Sequence, residues 1–116
     1  MLKKGQVVAI EPFATDGLGM IQESGTASVF MMAGKKPVRN PITREVLRKI
    51  ETYHGLPFCR RWLAKDFGVK ANYALRELAS LGMIEQFPPL VEVKKGYVAQ
   101  AEHTVLIDDE CIVTTR

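Results

Sequence analysis

The chain has 116 residues, 47% of them hydrophobic and 25% charged, which is the composition of an ordinary soluble globular domain with a modest core. No stretch approaches the roughly 18 apolar residues of a membrane helix, and the N-terminus has no signal-peptide core, so we expect no membrane partner. Cys59 and Cys111 are isolated and form no CxxC pair, which favours a reducing cytoplasm over a disulfide framework.

Charge is distributed unevenly along the chain. Residues 35–82 contain eleven Lys or Arg and four Asp or Glu, a net charge of +7, whereas the remaining residues carry −4. A basic middle segment between acidic flanks is compatible with a surface that faces nucleic acid or the ribosome. The alternative is that these charges form the solvated side of small helices.

The first segment is predicted to form strands. Residues 6–10 are too short and too β-branched for a helix, so they are interpreted as a buried strand, and Glu11 and Pro12 follow it directly. The turn at residues 15–19 lacks the third glycine and the following helix of a phosphate-binding loop, which excludes that interpretation. Residues 28–32 are predicted to return as another strand.

Three helices are predicted in the middle of the chain. The first has Asn40 as its N-cap and Pro41 at the first helical position, and Gly55 closes it. The second begins at Pro57 and stops at Gly68. Its inward side is formed by Phe58, Trp62, Leu63 and Phe67.

The third helix is predicted over residues 71–81. Its apolar side is formed by Tyr73, Leu75, Leu78 and Leu81. Because each helix carries its own apolar face and stop signal, residues 37–86 are expected to form a compact helical subdomain.

Strands are predicted to resume after residue 89. Residues 90–93 and 97–107 flank Lys94-Lys95-Gly96, which is a hairpin signal with glycine at the turn. Residues 108–110 are a solvated acidic turn, and residues 111–115 form the last strand.

Two acids follow or interrupt predicted apolar strands. Glu11 comes directly after the first strand, and Glu102 lies 91 residues later within the strand over residues 97–107. Burying an ionised carboxylate is costly unless it is paired or bound to a metal. Each acid therefore either pairs with a nearby Lys or Arg or shares one metal site with the other, in which case the two carboxylates should lie within about 6 Å.

Several segments together resemble type II methionine aminopeptidases. The first is residues 10–17, with the sequence IEPFATDG, and the second is residues 99–104, with the sequence AQAEHT. Between them, in the order and near the spacing of that family, lie KPVR (residues 36–39), LPFCRRWL (residues 56–63) and FPPL (residues 87–90). The resemblance runs from about Leu2 to Arg116 and corresponds to the C-terminal part of such an enzyme.

The resemblance implies an α+β fold, namely the C-terminal half of a pita-bread fold with a three-helix, winged-helix-like insertion. The expected domains are residues 1–36, with strands and the first metal-binding acid; residues 37–89, the helical insertion; and residues 90–116, with the last strands and the second acid. A long insertion between the two acids is the mark of the type II enzymes, since type I enzymes have a much shorter connection there.

The resemblance also implies a dinuclear-metal enzyme that removes the N-terminal methionine from nascent polypeptides in the cytoplasm. Glu11 matches a terminal ligand of one metal, and Glu102 matches a carboxylate that bridges both divalent ions, which are Mn, Fe, Co or Zn. Phe13, Pro57 and Phe87 match residues of the methionine pocket, and Val29 stands where eukaryotic members carry a pocket histidine. The aspartates and histidine that complete the family's site have no counterpart here. The chain alone is therefore expected to be inactive and to need the N-terminal half of the enzyme as its partner.

Two other functions remain open on sequence grounds. The chain is alternatively a non-catalytic module that binds nucleic acid or the ribosome through its basic helical insertion. A proline dipeptidase-like peptidase is a third candidate, and the long helical insertion argues against it. His103 adjoins Glu102, but strand alternation turns it to the opposite face, so we expect it to be a structural histidine.

Overall fold

The computed structural model describes residues 1–115, and these form a mixture of helices and several small sheets, as predicted for an α+β chain. The elements, in chain order, are β1 (Val7–Ile10), β2 (Phe13–Thr15), β3 (Ile21–Glu23), β4 (Val29–Met32), α1 (Pro41–Glu51), β5 (Phe58–Cys59), α2 (Arg60–Phe67), α3 (Lys70–Ser80), β6 (Ile84–Phe87), β7 (Leu90–Glu92), β8 (Val98–Gln100), β9 (His103–Ile107) and β10 (Cys111–Val113). Among the described residues, no helix has the length and apolar character needed to cross a bilayer.

The chain divides into two compact units. Unit 1 comprises Met1–Gln22 and the stretch that begins at Leu90, and unit 2 comprises Glu23–Pro89. Unit 2 holds the three helices together with β4, β5 and β6. It therefore includes residues 23–36, which the sequence placed with the preceding strands.

The predicted start of α1 is confirmed. Asn40 has extended backbone angles, and its side-chain oxygen accepts hydrogen bonds from the backbone N–H groups of Ile42, at 2.9 Å, and Thr43, at 3.4 Å. These bonds satisfy N–H groups that have no partner inside the helix. The helix itself ends at Glu51, and a turn then leads to Gly55, whose φ of 81° suits a residue without a Cβ.

The predicted start of the second helix at Pro57 is wrong. Phe58 and Cys59 form the short strand β5, which pairs antiparallel with β4, and α2 begins only at Arg60. Phe58 lies opposite Phe30 and is almost fully buried, because extended backbone directs its ring into the core of the unit. A two-residue strand has no periodicity, so the helical pattern dominated the prediction.

The core of unit 2 lies between the helices and the three-stranded antiparallel sheet with the order β5-β4-β6. It is built from Ala27, Phe30, Val46, Ile50, Phe58, Leu63, Ala71, Ala74, Leu75, Leu78, Met83 and Ile84. Two predicted core aromatic residues are instead exposed, Trp62 to 48% and Tyr73 to 56%. Trp62 packs edge-on against Tyr53, and α3 turns Ala71, Ala74, Leu75 and Leu78 inward, so small alanines occupy the face predicted for Tyr73.

Unit 1 is built from small antiparallel sheets with the strand orders β1-β9-β10 and β2-β8, together with the pair β3-β7. Its fully buried side chains among the described residues are Val105 and Glu92. The prediction that β1 is a buried strand is wrong, because Val8 alone in it is half-buried and its other residues are exposed. So short a stretch of chain, folded into small separate sheets, cannot cover both faces of its strands.

Two pairings in unit 1 differ from the prediction. The expected hairpin around Lys94-Lys95-Gly96 does not form, since β7 pairs with β3 and β8 pairs with β2. The predicted strand over residues 97–107 is divided into β8 and β9 on either side of Ala101. Pro12 lies opposite Ala101 and has no N–H, so this position keeps only the bond from the Ala101 N–H to the Pro12 carbonyl, at 3.2 Å.

Glu92 explains why the hairpin does not form. Its side chain is buried, with 1% exposure, and its carboxylate accepts backbone N–H bonds from Leu18 at 2.6 Å, Lys94 at 2.6 Å and Gly96 at 3.1 Å. The chain after β7 is thereby wrapped around the carboxylate instead of turning back on β7. A side chain at Gly17 would overlap this carboxylate, so glycine is required there by close approach.

The same contacts predict a pH dependence of stability. Burial alone would raise the pKa of Glu92, but the N–H donors of Gly96, Leu18 and Lys94 together hold this pKa below its ordinary value of 4.5. The ionised carboxylate therefore stabilises the fold above about pH 4.5, and this stability is lost as the pH falls through the lower pKa of the folded state. Urea unfolding followed between pH 7 and pH 3 should show a smaller acid-dependent loss in Glu92→Gln than in the natural chain.

The matched control for this prediction is Glu110→Gln, which removes an exposed acid from the turn between β9 and β10. This variant should keep the pH dependence of the natural chain. Identical acid-dependent losses in the natural chain and in Glu92→Gln would contradict the role given to Glu92.

Candidate functional site

The two acids singled out in the sequence lie opposite each other in unit 1. Ile10 is the register partner of His103, and Phe13 is the partner of Gln100. Since the same register holds on both sides of the interruption at Pro12, Glu11 lies opposite Glu102. Directly opposed residues of an antiparallel pair point to the same face, with Cβ atoms about 4.5–5.5 Å apart. The two carboxylates therefore share one face of this strand pair.

Gln100 joins this face and contacts one of the acids. It lies two residues before Glu102, so the alternation of strand side chains places both on the same face. Its Nε2 donates a hydrogen bond to Oε2 of Glu11 at 3.0 Å. Gln100 lies within the recognised sequence AQAEHT, yet sequence reasoning gave it no role. The two-residue spacing from Glu102 was the signal that could have found it.

The alternative in which each acid pairs with a nearby cation is not the arrangement observed. In the part of the chain that the structure describes, the salt bridges join Lys4 to Asp108 and Asp109, Lys35 to Glu51, and Lys49 to Asp66. Glu11 and Glu102 take part in none of them. Both acids are also exposed, so solvation takes the place of the buried setting predicted from the sequence.

His103 points away from this face. It is the register partner of Ile10, one position from Glu102, and its Nδ1 lies 2.5 Å from the Thr115 carbonyl oxygen. This contact requires the tautomer in which Nδ1 carries the proton and donates it to the carbonyl. His103 is thus engaged with the end of its own sheet, in agreement with its interpretation as a structural histidine.

The three predicted pocket residues divide between the two units. Phe13 is in unit 1 on the same face as Glu11 and Glu102, and 52% of it is exposed. Phe87 is in unit 2 at the end of β6, where it lies opposite Val29 and is 38% exposed. Pro57 precedes β5 in unit 2 and is exposed as well. Phe87 and Val29 are therefore brought together, and the pocket role of all three residues stays a prediction.

The donor set on the face of Glu11 and Glu102 is incomplete for a metal centre. Within residues 1–115, no group of three or more His, Cys, Asp or Glu side chains is placed to hold an ion. Two opposed carboxylates with free oxygens nevertheless fit the oxygen-rich ligation that Mn, Fe or Co accepts, and such ligation does not exclude Zn. A metal-binding role for the two acids stays a prediction.

Comparison with known sequences gives a consistent result. No family model matches the chain. The chain is 40% identical to a methionine aminopeptidase of Archaeoglobus fulgidus over 99% of its length, 45% identical to one of Thermococcus onnurineus over 95%, and 41% identical to one of Methanothermobacter thermautotrophicus over 99%. It spans only 39%, 38% and 40% of these relatives, respectively.

A solved structure shares the fold. The chain superimposes on the structure of a thermophilic Arx1 with a TM-score of 0.82, covering 91% of this chain and 29% of the other. The sequence identity is 17%, so this likeness shows the fold alone.

The chain is thus similar along nearly its whole length to methionine aminopeptidases, the family that the motifs predicted, and it corresponds to about two fifths of the length of these relatives. This partial match agrees with the predicted C-terminal part.

Proposed function

We propose that this chain supplies one part of the active site of a methionine aminopeptidase and is completed by a second stretch of polypeptide. The observation that supports this most is the pair Glu11 and Glu102, opposed on one face and free of ion-pair partners within residues 1–115. Two anionic side chains held side by side repel each other unless a cation lies between them. The relatives at 40–45% identity are named methionine aminopeptidases, which gives the class of reaction.

In the completed site, Glu11 would be a terminal ligand and Glu102 a bridging ligand of two divalent ions, Mn, Fe, Co or Zn. When bound, such ions lower the pKa of a water molecule and polarise the scissile carbonyl. The residues of this chain hold and orient the ligands. The hydrogen bond from Gln100 to Glu11 fixes the direction of that carboxylate, as groups behind metal ligands do in other sites.

The proposed partner is the portion of the enzyme that the chain does not match. Unit 1 has many large apolar side chains that are at least 40% exposed, which are Met1, Leu2, Val7, Ile10, Phe13, Leu18, Met20, Ile21, Leu90, Tyr97, Val98 and Ile112. So many exposed apolar groups on a small unit are typical of a surface that another polypeptide covers. A partner that buries them would also bring the missing aspartates and histidine to the face of Glu11 and Glu102.

The proposed substrate is the N-terminal methionine of nascent polypeptides. Because their motifs match those of the family, Phe13, Pro57 and Phe87 are proposed to contact its unbranched side chain in the completed enzyme, and Val29 replaces the pocket histidine of eukaryotic members. The proposed place of action is the cytoplasm, which suits the free thiols of Cys59 and Cys111.

The finer fold is also a proposal. Unit 1 would be the C-terminal half of a pita-bread fold, and unit 2 a winged-helix-like insertion. The element order α1, β5, α2, α3, β6 supports the winged-helix-like assignment of unit 2. The helices α2 and α3 follow the short strand β5, and the longer strand β6 then pairs with β4 in the same sheet.

Reassembly tests the proposed function. The purified chain should not release methionine from a Met-Ala-Ser peptide when supplied with Mn²⁺ or Co²⁺. Mixing it with the part of the Archaeoglobus fulgidus enzyme that it does not match should restore release, and the two polypeptides should then elute as one species in size-exclusion chromatography. Rapid turnover by the chain alone, or a stable complex without any turnover, would show that this division of the active site is wrong.

A further inference from the structure

Unit 2 has a cavity that the proposed peptidase function does not use. Its volume is about 250 Å³. Apolar atoms of Ala27, Phe30 and Leu75 form one part of its lining. Polar and charged side chains form the rest, and these are Thr26, Arg60, Asn72, Arg76 and Gln86.

The secondary structure brings these polar residues, all of which are exposed, to one region of unit 2. Asn72 and Arg76 are four residues apart on α3, so they lie on the same side of that helix. Gln86 is the register partner of Phe30, so both side chains face the same way from the sheet. Arg60 is the first residue of α2. Groups from two helices and the sheet therefore converge on one space.

The cavity has positive charge and no negative charge in its lining. Arg60 and Arg76 both line it, no Asp or Glu does, and neither arginine takes part in a salt bridge within residues 1–115. Two guanidinium groups on one cavity repel each other unless an anion lies between them. Unit 2 as a whole carries eleven Lys or Arg against six Asp or Glu, so its surroundings also favour an anionic ligand.

The chemistry of the lining indicates what kind of anion fits. Guanidinium groups match phosphate oxygens with paired N–H donors. The amides of Asn72 and Gln86 each carry a donor and an acceptor, which complements a ribose 2′-hydroxyl, itself both donor and acceptor. The volume exceeds that of several water molecules, at about 30 Å³ each, so a phosphate and part of its sugar can enter.

We propose that this cavity binds a phosphate and the adjoining ribose of a single-stranded RNA. Arg60 and Arg76 contact the phosphate, and Asn72 and Gln86 contact the 2′-hydroxyl. The ring of Phe30 is almost entirely buried, so it offers no platform on which a base can stack, and recognition is of the backbone and not of the sequence. This proposal stands apart from the peptidase function and does not depend on it.

Fluorescence anisotropy with the purified chain and a labelled oligouridylate tests the proposal. Arg60→Gln and Arg76→Gln should each weaken binding roughly tenfold, since each removes a charge-assisted contact. Each should also reduce the slope of log affinity against log salt concentration by about one. The control is Arg48→Gln, which removes the same charge from an exposed position on α1 outside the cavity and should change affinity less than about twofold.

Two further variants separate the effect of charge from that of the paired donors, and the recognition of RNA from that of DNA. Arg76→Lys keeps the charge but loses the paired donors, so it should still weaken binding. Asn72→Ala should reduce the preference for RNA over DNA of the same sequence, and unchanged thermal unfolding curves would show that the variants fold. Three results would overturn the proposal: an Arg48→Gln loss equal to that of Arg60→Gln, equal binding of RNA and DNA by the natural chain, or tighter binding of an acidic peptide than of RNA.

Discussion

Glu102→Ala is expected to lower methionine release by the reassembled enzyme roughly a thousandfold or more. A carboxylate that bridges two ions holds both in place, and the charge stabilisation that such ions provide is worth several kcal/mol, which corresponds to this factor in rate. Glu102 lies opposite Glu11 across the strand pair, so no other acid of the described chain replaces it in that register. The measurement is the rate of methionine release from the Met-Ala-Ser peptide at saturating metal.

The matched control is Glu110→Ala, which removes an acid that is also exposed, from the turn between β9 and β10. It should leave the rate within about twofold of the natural chain, since distant exposed charges are screened at moderate salt. Each variant should still assemble with the second polypeptide, as shown by co-elution. Retention of the natural rate by Glu102→Ala in an assembled complex would remove Glu102 from the metal site.

Phe58→Ala is expected to lower the free energy of unfolding of unit 2 by about 3–5 kcal/mol, the cost of removing a buried aromatic side chain. The ring is 1% exposed and stacks on Phe30, with ring centroids 6.0 Å apart, and on Tyr53, at 5.5 Å. Its loss therefore leaves a cavity beside Phe30 and Tyr53. Urea unfolding followed by the helical circular dichroism signal measures this change, because the helices of the described chain all belong to unit 2.

The control for this variant is Tyr73→Ala, which removes an aromatic side chain of similar size that is 56% exposed. Its hydroxyl has one weak contact, at 3.4 Å, with the side-chain nitrogen of Asn40, so the expected loss is less than about 1 kcal/mol. Equal losses in the two variants would mean that Tyr73 belongs to the core, as its helical spacing first indicated.

Unit 1 and unit 2 are stabilised by different kinds of interaction. Unit 2 encloses a continuous apolar cluster between its helices and its sheet. Unit 1 buries Val105 and Glu92, and much of its order comes from backbone pairing and from the three N–H bonds to Glu92. A buried carboxylate of this kind stabilises only while it is ionised, so unit 1 should be the more acid-sensitive of the two.

The local sequence was sufficient to predict where an element begins or ends when the residues that determine this lie only a few positions away. Asn40 and Pro41 set the start of α1, and Gly68 ends α2, because capping bonds and permitted backbone angles depend on near neighbours. The prediction of a turn over residues 108–110 was correct for the same reason. The resemblance to methionine aminopeptidases, too, was evident in the sequence, since the motifs that carry it are short and ordered along the chain.

The sequence alone identified the two acids of the candidate site but not how they are arranged. The motifs identified Glu11 and Glu102, but their opposition depends on a register between strands that are some ninety residues apart, and only the folded chain sets it. Gln100 gains its contact with Glu11 from that same register. The two acids proved to be exposed, because the burial of a strand depends on which layers cover it and not on its own apolar residues.

The remaining errors share this cause. Phe58 was assigned to a helix and lies in a strand, since its pairing with Phe30 outweighs a helical pattern of only a few residues. Tyr73 and Trp62 had helical spacing, yet the inward face of each helix is selected by what packs against it, and on α3 the alanines allow closer approach. The sequence by itself determined the three helices, the cap that begins α1, the glycine that ends α2, the resemblance to methionine aminopeptidases and the two acids. Tertiary structure decided strand partners, burial and the shared face of Glu11 and Glu102, because these depend on contacts between residues that are distant in the chain.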